Sequence, residues 1–463
     1  MSPPEIADEE VVRQRNNLGR ALRCLLQIAR SEYIPRSVFD AQPEHPKQVF
    51  ASTVCMTAIA KDTPTSLEDI TERYRLTHQE QRQLREAAQD LTMWGEGALS
   101  QWWVDAEAAI ATNGDLRARK KQLLQSLQAH LSSLRIQPKS FPAEGLPPRP
   151  KQKLRRVAKQ SDKTIIGMCP VASEETVCCN LRTIDAVENC GMGCSYCAVQ
   201  TFYGDEVVFD ANLKEKLQAI ELDGDRFYHI GTGQSSDALM WGNQRGMLDD
   251  LCGFARAHDN VLLEFKSKSK NITYFLNHPT PHNVVLSWSL NTPTIIRNEE
   301  HFSADLAQRL SAARQVVDRG IKVAFHFHPI VHYDHWREDY AELAGQVTDQ
   351  FDPPEVLFVS FGSVTFIKPV IKALRQRAAA TKMLQMEMVP GAKGKLSYPD
   401  ELKAEMFSHM YASFRPWHDE VFIYLCMEQA ALWYETFGFS YATNDEFEAE
   451  FGRRVREKWV RRG

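Results

Sequence analysis

The spacing of hydrophobic positions changes once along the chain, and the change separates two kinds of structure. In residues 1–138 apolar positions recur every three or four residues, as in Val11–Ile28 and Gln79–Leu91, which is the period of an amphipathic helix. After residue 163, short apolar runs alternate with amphipathic stretches. We therefore predict an all-helical accessory domain over residues 1–138, followed by a domain that mixes strands and helices.

The best defined helices of the first domain lie between Leu67 and Ala88. Two capping boxes, in which a threonine is followed three residues later by a glutamate, predict where they start: Thr65 with Glu68 and Thr77 with Glu80. The pair resembles a helix-turn-helix, but its turn, Tyr74–Leu76, lacks the usual glycine. An accessory role is therefore favoured over the reading of DNA sequence.

Residues 139–163 have the composition of a linker. Their first half is rich in proline and their second half is rich in lysine and arginine. An exposed, solvated linker is the favoured interpretation. Contact between its basic half and phosphate groups is the alternative.

The next region, residues 164–380, alternates predicted strands with predicted helices. Six short runs rich in β-branched and aromatic residues predict strands: Thr183–Glu188, Phe227–Gly231, Val261–Phe265, Val284–Ser289, Lys322–Phe327 and Val356–Phe361. Amphipathic stretches between them predict helices: Leu213–Ile220, Met247–His258, Ala304–Arg319 and His335–Val347. Such repeats imply parallel strands covered by helices, as a doubly wound sheet or an incomplete barrel. Residues 381–463 are predicted as a mostly helical C-terminal extension that completes this domain.

Polar residues stand directly after several of these strands. They occur in four segments: Gly231–Asp237, Phe265–Lys268, Ser287–Asn291 and Phe325–Pro329. The carboxyl ends of parallel strands meet on one side of a sheet or barrel, which is where such folds carry their chemistry. We therefore expect the four segments to line one shared site, although each residue alone is equally consistent with a structural role.

Composition narrows the class of protein without indicating a function. Of the 463 residues, 43% are hydrophobic and 25% are charged, as in ordinary globular proteins. No window approaches 18 consecutive apolar residues and the first ten residues are acidic, so we expect no membrane span, no secretory signal and a cytoplasmic location. The net charge of −5 gives no general attraction to nucleic acid, so such a partner must meet a local basic patch.

Three of the ten cysteines lie close together, directly after the first predicted strand. Cys190, Cys194 and Cys197 have C-x3-C-x2-C spacing with glycines between the first two, so one tight loop presents three thiols. Thiolates are the preferred ligands of iron–sulfur clusters, and three of them leave one iron of a [4Fe–4S] cluster open to a small molecule. The alternatives are a zinc site, which lacks the usual second pair of ligands here, and three unrelated buried thiols.

This spacing, with the aromatic Tyr196 just before the last cysteine, resembles the signature of the radical S-adenosylmethionine (SAM) superfamily. The resemblance implies a [4Fe–4S] cluster on the three cysteines, whose open iron binds SAM. It implies that an electron, from a reductant such as flavodoxin or ferredoxin, cleaves SAM to a 5′-deoxyadenosyl radical. It also implies the fold class, which is α/β with a partial (βα)6 TIM barrel, preceded by the helical domain.

Segments further along the chain resemble one family within that superfamily, the spore photoproduct lyases. They are GTGQSSDAL, SKSKNI, LSWSLN, Arg309–Pro329 and MVPGAKGKLSYPDE, spread over roughly residues 180–430. The resemblance implies a lyase that repairs a thymine photolesion in DNA by hydrogen abstraction. It also implies that SAM is contacted by residues of the cluster loop and the strand ends: Tyr196, Gly231, Gly233, Ser236, Lys268 and Ser289.

Two positions depart from the family pattern. Gln234 stands where the resemblance places the cysteine that returns hydrogen to the product, and Ala198 stands where it places a tyrosine. A glutamine has no weak X–H bond to give up, so we expect a different hydrogen donor. Gln234 and Tyr203 are the candidate catalytic residues, and the pair Cys178 and Cys179 is a further alternative.

Two other functions stay open at this stage. The first is a radical SAM enzyme that acts on a different nucleic-acid or small-molecule substrate. The second is a non-catalytic iron–sulfur protein that binds nucleic acid through its linker and its basic tail, Arg453–Arg462, where Trp459 lies among the cations.

Overall fold

The computed structural model describes residues 66–110, 115–169, 173–377 and 379–460, and all of them belong to one compact unit, Asp62–Gly463. The described chain begins with helices that pack beside a larger α/β body: α1 (Leu67–Tyr74), α2 (His78–Trp94), α3 (Leu99–Ala109) and α4 (Leu116–Ile136). The domain boundaries given above stay predictions.

The starts of the first two helices follow their capping residues. The capping box that begins at Thr77 is present at the start of α2. At α1 the box lies one residue later than predicted, because Ser66 and Asp69 exchange hydrogen bonds of 3.0 and 3.1 Å between side chain and backbone. Thr65 with Glu68 and Ser66 with Asp69 each place a hydroxyl residue three positions before an acidic one, so the sequence alone does not decide between the two starting points. Thr65 and the predicted helix Val11–Ile28 lie outside the described residues.

The rest of the chain alternates strands and helices. The strands are β1 (Arg155–Lys159), β2 (Ile166–Met168), β3 (Arg182–Ile184), β4 (Val187–Glu188), β5 (Glu206–Asp210), β6 (Tyr228–Thr232), β7 (Val261–Ser267), β8 (Val284–Ser289), β9 (Lys322–Ile330), β10 (Val356–Ser363), β11 (Thr365–Phe366), β12 (Val389–Pro390), β13 (Leu396–Ser397) and β14 (Phe422–Leu425). The helices are α5 (Leu213–Gln218), α6 (Met247–Ala257), α7 (Thr273–Asn277), α8 (Pro293–Glu299), α9 (Leu306–Asp318), α10 (Trp336–Gln350), α11 (Lys368–Gln376), α12 (Asp400–Ser413), α13 (Ala430–Phe437) and α14 (Asn444–Val460). Within the described ranges, no helix combines the length and the apolar character that a membrane crossing requires.

Eight of these strands form one curled half-barrel sheet, which confirms the predicted fold class. Their order is β14-β10-β9-β8-β7-β6-β3-β2, and every pair is parallel except β2 with β3. The prediction missed β14, a parallel edge strand inside the extension expected to be mostly helical. With only four residues it is too short for a clear period.

Two further predicted segments differ from the structure. The predicted strand Thr183–Glu188 is divided: β3 joins the large sheet, whereas β4 pairs with β5 in a small three-stranded sheet. The third strand of that small sheet is β1, which lies within the basic half of the predicted linker. Arg155 there donates to Glu206 at 2.7 Å, and Arg156 lies over the Trp241 ring. The basic half of the linker is therefore partly built into the fold.

The core lies on both faces of the large sheet. All six residues of β8 are buried, as expected for a parallel strand covered on both sides. Helix α14 packs on one end of the barrel through three fully buried side chains: Phe447, Phe451 and Val455. Its last turn is also engaged, because Trp459 packs against Phe227 and Lys458 donates to the Pro353 carbonyl at 2.7 Å. The predicted nucleic-acid tail is thus packed against the barrel through Lys458 and Trp459, while the side chains of Arg453 and Arg456 are exposed.

The helical region is fastened to the barrel by buried charges. The Asp90 carboxylate on α2 accepts hydrogen bonds from Arg135 on α4 at 3.1 Å and from Arg375 on α11 at 2.7 and 2.8 Å. Asp90 is 1% exposed, so its charge depends on these two guanidinium groups rather than on water.

A second set of contacts continues from α2 towards the barrel. The Met93 carbonyl accepts from the Thr381 backbone at 2.8 Å, and Lys382 pairs with Glu96 at 2.5 Å. Thr381 and Lys382 in turn donate to the Glu299 carboxylate at 2.7 and 2.8 Å. The helical region therefore reaches the end of α8, beside the cysteine loop.

We expect Asp90→Asn to lower the free energy of unfolding by about 2 to 3 kcal/mol, because a neutral amide cannot balance two guanidinium groups in a buried position. The urea concentration at the unfolding midpoint measures this change. The control is Arg82→Ala, because Arg82 is 78% exposed in its pair with Glu86 and its loss should cost less than about 0.5 kcal/mol. Equal midpoints for the two variants would contradict the role given to Asp90.

Candidate active site

The cysteine loop begins directly after β4, at the carboxyl side of the parallel sheet. Its first residue, Asn189, is buried and has a left-handed backbone with φ of 75°. The Asn189 amide donates to the carbonyls of Gly204 and Glu206 at 3.0 and 2.8 Å, and its side-chain oxygen accepts from the Cys190 backbone at 2.8 Å. Its own carbonyl accepts from the Ser236 hydroxyl at 2.7 Å. One asparagine thus fixes the position of the first cysteine.

The middle of the loop is held by neighbours from two sides. Gly193 has φ of +69°, and a Cβ there would lie 2.8 Å from the Phe302 ring, so this position requires glycine. The Gly193 carbonyl accepts from Arg149 at 3.1 Å. The Ser195 backbone donates to the carbonyl of Glu299 at 2.8 Å, which links the loop to the segment that receives the helical region.

Two thiols of the loop, those of Cys190 and Cys194, hold their protons in the absence of metal. Burial raises the pKa of Cys190 well above its usual value, and burial together with the Glu300 carboxylate raises the pKa of Cys194 to about 12. A metal that binds them must displace these protons. Among the described residues, no three His, Cys, Asp or Glu side chains converge closely enough for a single metal ion. Three thiols spread along one loop fit a larger polynuclear group, and thiolate donors suit iron and sulfur.

A buried ion pair, Glu300 with Arg309, lies beside the cysteine loop. Tyr196 donates its hydroxyl hydrogen to Glu300, and Arg309 donates to the other carboxylate oxygen. Arg309 also donates to the carbonyls of Ser289 and Ala304, both at 2.8 Å. Burial alone would raise the pKa of Glu300, but Arg309 and then Lys268 bring it below its usual value, so the carboxylate is charged. This pair joins the loop to the end of β8.

The sequence did not indicate a role for Glu300, because this residue lies in a run of polar residues, Asn298–His301, that is typical of an exposed loop. The two residues that the ion pair joins are both among the SAM contacts predicted from the sequence. Tyr196 and Ser289 meet through the pair, and the Lys268 ammonium lies 5.7 Å from the centre of the Tyr196 ring. The structure therefore brings three of the predicted SAM contacts together on one side of the loop.

A second group of predicted residues lies in the turn after β6. Gly233 has φ of +88°, and a Cβ there would approach three backbone atoms at 3.0 Å, so this position also requires glycine. The buried Asp237 carboxylate accepts from Ser267 at 2.8 Å and from the backbone of Lys268 at 2.7 Å. This carboxylate fixes the turn to the end of β7.

The Ser236 hydroxyl in this turn is already engaged within the protein. It donates its hydrogen to Asn189 and accepts from the Trp241 indole at 2.8 Å. Toward a bound molecule, Ser236 can therefore act only as an acceptor. Gly231 lies nearby on the wall of the barrel, where a Cβ would be in ordinary contact with Leu181 at 3.4 Å.

Gln234 lines a cavity of about 160 Å³ inside the barrel. The walls come from strand ends, from the segment before β3 and from the residues after β14: Cys169, Cys178, Cys179, Leu181, His229, Gly231, Thr232, Gln234, Glu264, Lys266, His326, His328, Tyr424, Leu425, Cys426 and Met427. Tyr203 is not among them. It lines a separate small pocket with Cys190, Arg149 and Phe302, so the structure does not bring the two predicted catalytic residues together.

A buried polar network forms one side of the cavity. The Glu264 carboxylate accepts from His229 at 2.8 Å, from His326 at 2.5 Å and from Ser287. Burial raises the pKa of Glu264, but the two histidines bring it well below its usual value. Burial lowers the pKa of His326 to about 4, so this ring is neutral at pH 7 and donates one N–H to Glu264. Its second nitrogen accepts from Ser360 at 2.6 Å.

The network reaches the cavity at His328, whose ring nitrogen lies 3.0 Å from the Ser360 oxygen and donates to it. This chain of groups has one consistent set of hydrogens, from His328 through Ser360 and His326 to a charged Glu264. The sequence analysis placed both histidines at a strand end near the site. It did not predict a role for Glu264, because this residue lies inside the predicted strand Val261–Phe265, whose other residues are apolar.

The chain is similar in sequence and in fold to known proteins. A sequence model of the family described as spore photoproduct lyase matches residues 152–415. A spore photoproduct lyase from Clostridium acetobutylicum is 25% identical over 178 residues, which is 37% of this chain and 53% of that protein. The chain thus spans about half the length of this curated relative.

Solved structures of spore photoproduct lyases share the fold. A double mutant with bound AdoMet and dinucleoside spore photoproduct has a TM-score of 0.50 at 22% identity, covering 58% of this chain and 80% of that one. A mutant with dinucleoside spore photoproduct has a TM-score of 0.51 at 19% identity, covering 65% and 93%. Since the family's sequence model matches more than half of the 463 residues, the chain belongs to the spore photoproduct lyase family.

Proposed function

We propose that this protein is a radical SAM lyase that repairs a thymine photolesion in DNA. The observation that carries the proposal is the anchored loop of Cys190, Cys194 and Cys197 at the carboxyl ends of the parallel strands. Radical SAM enzymes of this family use a [4Fe–4S] cluster and SAM. The three thiols would hold the cluster, which supplies the electron that cleaves SAM to methionine and a 5′-deoxyadenosyl radical.

The chain's own residues supply charge and position around that group. Lys268 and Arg309 oppose the rise in the pKa of Cys194, and so favour its thiolate. Tyr196 keeps its hydrogen, because burial and the Glu300 carboxylate raise its pKa, and it remains a donor held in one direction. The cysteine loop is thus held to the charged Glu300 through Tyr196, with the Lys268 ammonium beside it.

The predicted SAM contacts fit a molecule bound between the loop and the strand ends. Lys268 provides a positive charge, while Gly233 allows the tight turn that places Ser236 beside the cysteine loop. Gly231, the remaining predicted contact, lies on the barrel wall next to that turn. Ser289 lies at the end of a fully buried strand, and its carbonyl is held by Arg309. Rigid supports of this kind position a cofactor without reorganisation during the reaction.

The cavity beside the SAM contacts is the proposed place of the reacting base. A lesion inside duplex DNA reaches it only if the damaged nucleotides leave the helix, which costs a few kcal/mol. The DNA itself and a reductant such as flavodoxin or ferredoxin stay proposed partners. A radical SAM enzyme on another nucleic-acid or small-molecule substrate is the second candidate, and Gln234 and Ala198 favour it.

The function is tested with anaerobically reconstituted protein, SAM, dithionite and dinucleoside spore photoproduct. We expect 5′-deoxyadenosine and repaired dithymidine to form together. 5′-Deoxyadenosine without repair would support the second candidate. No 5′-deoxyadenosine from fully loaded protein would favour the non-catalytic alternative.

Each cluster cysteine should be indispensable for iron. We expect reconstitution to give about four irons per chain in the wild type, and Cys190→Ala, Cys194→Ala and Cys197→Ala each to lose the cluster, since only three thiolates are available. Iron analysis and the visible absorption of the cluster measure this. Cys252→Ala is the control, because Cys252 is buried in α6 away from the loop. Tightly bound zinc in place of iron would contradict the proposal.

Lys268 should contribute directly to SAM binding. We expect Lys268→Met to weaken the binding of SAM to the cluster-loaded protein by about 1 to 3 kcal/mol, roughly 5- to 150-fold in Kd, and Ser289→Ala to weaken it within the same range. Equilibrium dialysis under anaerobic conditions measures Kd. Lys270→Met is the matched control, since Lys270 is an exposed lysine two residues further on. If all three variants bind SAM equally well, the assigned contacts are wrong.

A further inference from the structure

Thiols line one side of the barrel cavity, apart from the three cysteines of the loop. Cys169, Cys178, Cys179 and Cys426 all line it, and none of these four described residues is part of a disulfide. We call these four residues the thiol wall. Gln234 lines the same cavity, so the position that lacks a cysteine shares a space with four cysteines from elsewhere in the chain.

Cys426 has a distinct place in the thiol wall. It follows β14 directly, and its backbone donates to the Phe361 carbonyl of β10 at 2.8 Å, so it continues the parallel ladder by one residue. It therefore lies at the carboxyl end of an edge strand, where barrels of this kind carry their chemistry. Cys426 is partly exposed, whereas the other three members are buried.

The cavity has the size of a binding site for a single ring. Its volume of about 160 Å³ is close to that of a cavity of about 150 Å³ that admits one benzene ring. Polar side chains line it beside the apolar ones, among them Gln234, Lys266 and His328, so it suits a ring that carries polar groups.

We infer that the Cys426 thiol gives the hydrogen atom that quenches the substrate radical. This inference rests on the proposed function, which generates a carbon radical on a pyrimidine ring in this cavity. An S–H bond breaks and a C–H bond forms, and one unpaired electron moves from carbon to sulfur. The thiyl radical is then reduced to the thiol by one electron from the reductant, which is dithionite in the assay, and one proton from solvent. The 5′-deoxyadenosine formed earlier in the turnover is released as a product, so the sequence balances with one SAM and two electrons for each repaired lesion.

The protonation of the thiol wall favours Cys426 over Cys178. A hydrogen bond from Cys179 lowers the pKa of Cys178 to about 7, so about half of this group is thiolate at neutral pH and has no hydrogen atom to give. Burial raises the pKa of Cys426, and then the neighbouring Cys169 adds to the rise. Cys426 therefore keeps its S–H bond throughout the neutral range.

The inference is tested by repair in D₂O, because a thiol exchanges its hydrogen with solvent and the methyl group of 5′-deoxyadenosine does not. We expect the wild type to give thymine product with one deuterium from solvent. Cys426→Ala should form 5′-deoxyadenosine at the wild-type rate, but lose at least nine-tenths of the deuterated product. Cys252→Ala should match the wild type, and Cys178→Ser should still deliver deuterium.

A rescue variant separates hydrogen donation from mere packing. Since Gln234 and Cys426 line the same cavity, adding Gln234→Cys to Cys426→Ala should restore the deuterated product. A second readout needs no cluster: Cys426→Trp, which places a bulky side chain in the cavity, should weaken the binding of dinucleoside spore photoproduct to the metal-free protein at least several-fold, whereas Cys252→Ala should not.

Four outcomes would overturn the inference. They are repair by the wild type without solvent deuterium, undiminished deuterium in Cys426→Ala, loss of deuterium in Cys178→Ser but not in Cys426→Ala, and binding of the dinucleoside unaffected by Cys426→Trp. The first three leave the proposed function intact. A wild type that forms no 5′-deoxyadenosine overturns the proposed function, and this inference with it.

Discussion

The site depends on a charge pair from which water is excluded. Glu300 and Arg309 are both almost fully buried, and each would be costly to bury alone. The cost is offset by their mutual attraction and by the hydrogen bonds that they form. The groups that they bind all belong to the candidate site: the Tyr196 hydroxyl, the Ser289 carbonyl and the segment after α8. A hydrophobic pair of the same size could fill this space, but it would give none of these groups a direction. The pair therefore contributes more to the position of these groups than to the stability of the fold.

Polar side chains also determine how the loops around the barrel are arranged. Asn189 and Asp237 are both buried, and between them they accept or donate seven hydrogen bonds with backbone and hydroxyl groups of the cysteine loop, the turn after β6 and the end of β7. Loops without a regular ladder need such partners for their backbone groups. Three separate loops are thus held as one surface.

The sequence predicted those parts of the fold that follow a period or a fixed spacing. The long parallel strands and the C-x3-C-x2-C loop are of this kind, and so are the glycines at 193 and 233. It did not predict the short strand Phe422–Leu425 or the division of Thr183–Glu188, since pairing partners decide both. Asn189, Glu264 and Glu300 were also missed, because a buried polar residue looks like an exposed one until its partner is known.

A chain of contacts runs from Met93 through Thr381 and Glu299 to Ser195. It constrains the evolution of this protein. A helical region that only lies on the surface of a domain can normally be lost without changing the functional site of that domain. Here it supports, through Thr381 and Glu299, the backbone next to Cys194, a proposed cluster ligand. Selection on the proposed cluster site would therefore also act on residues of α2 that lie away from it, and loss of these helices would have to be accompanied by a new support for Glu299.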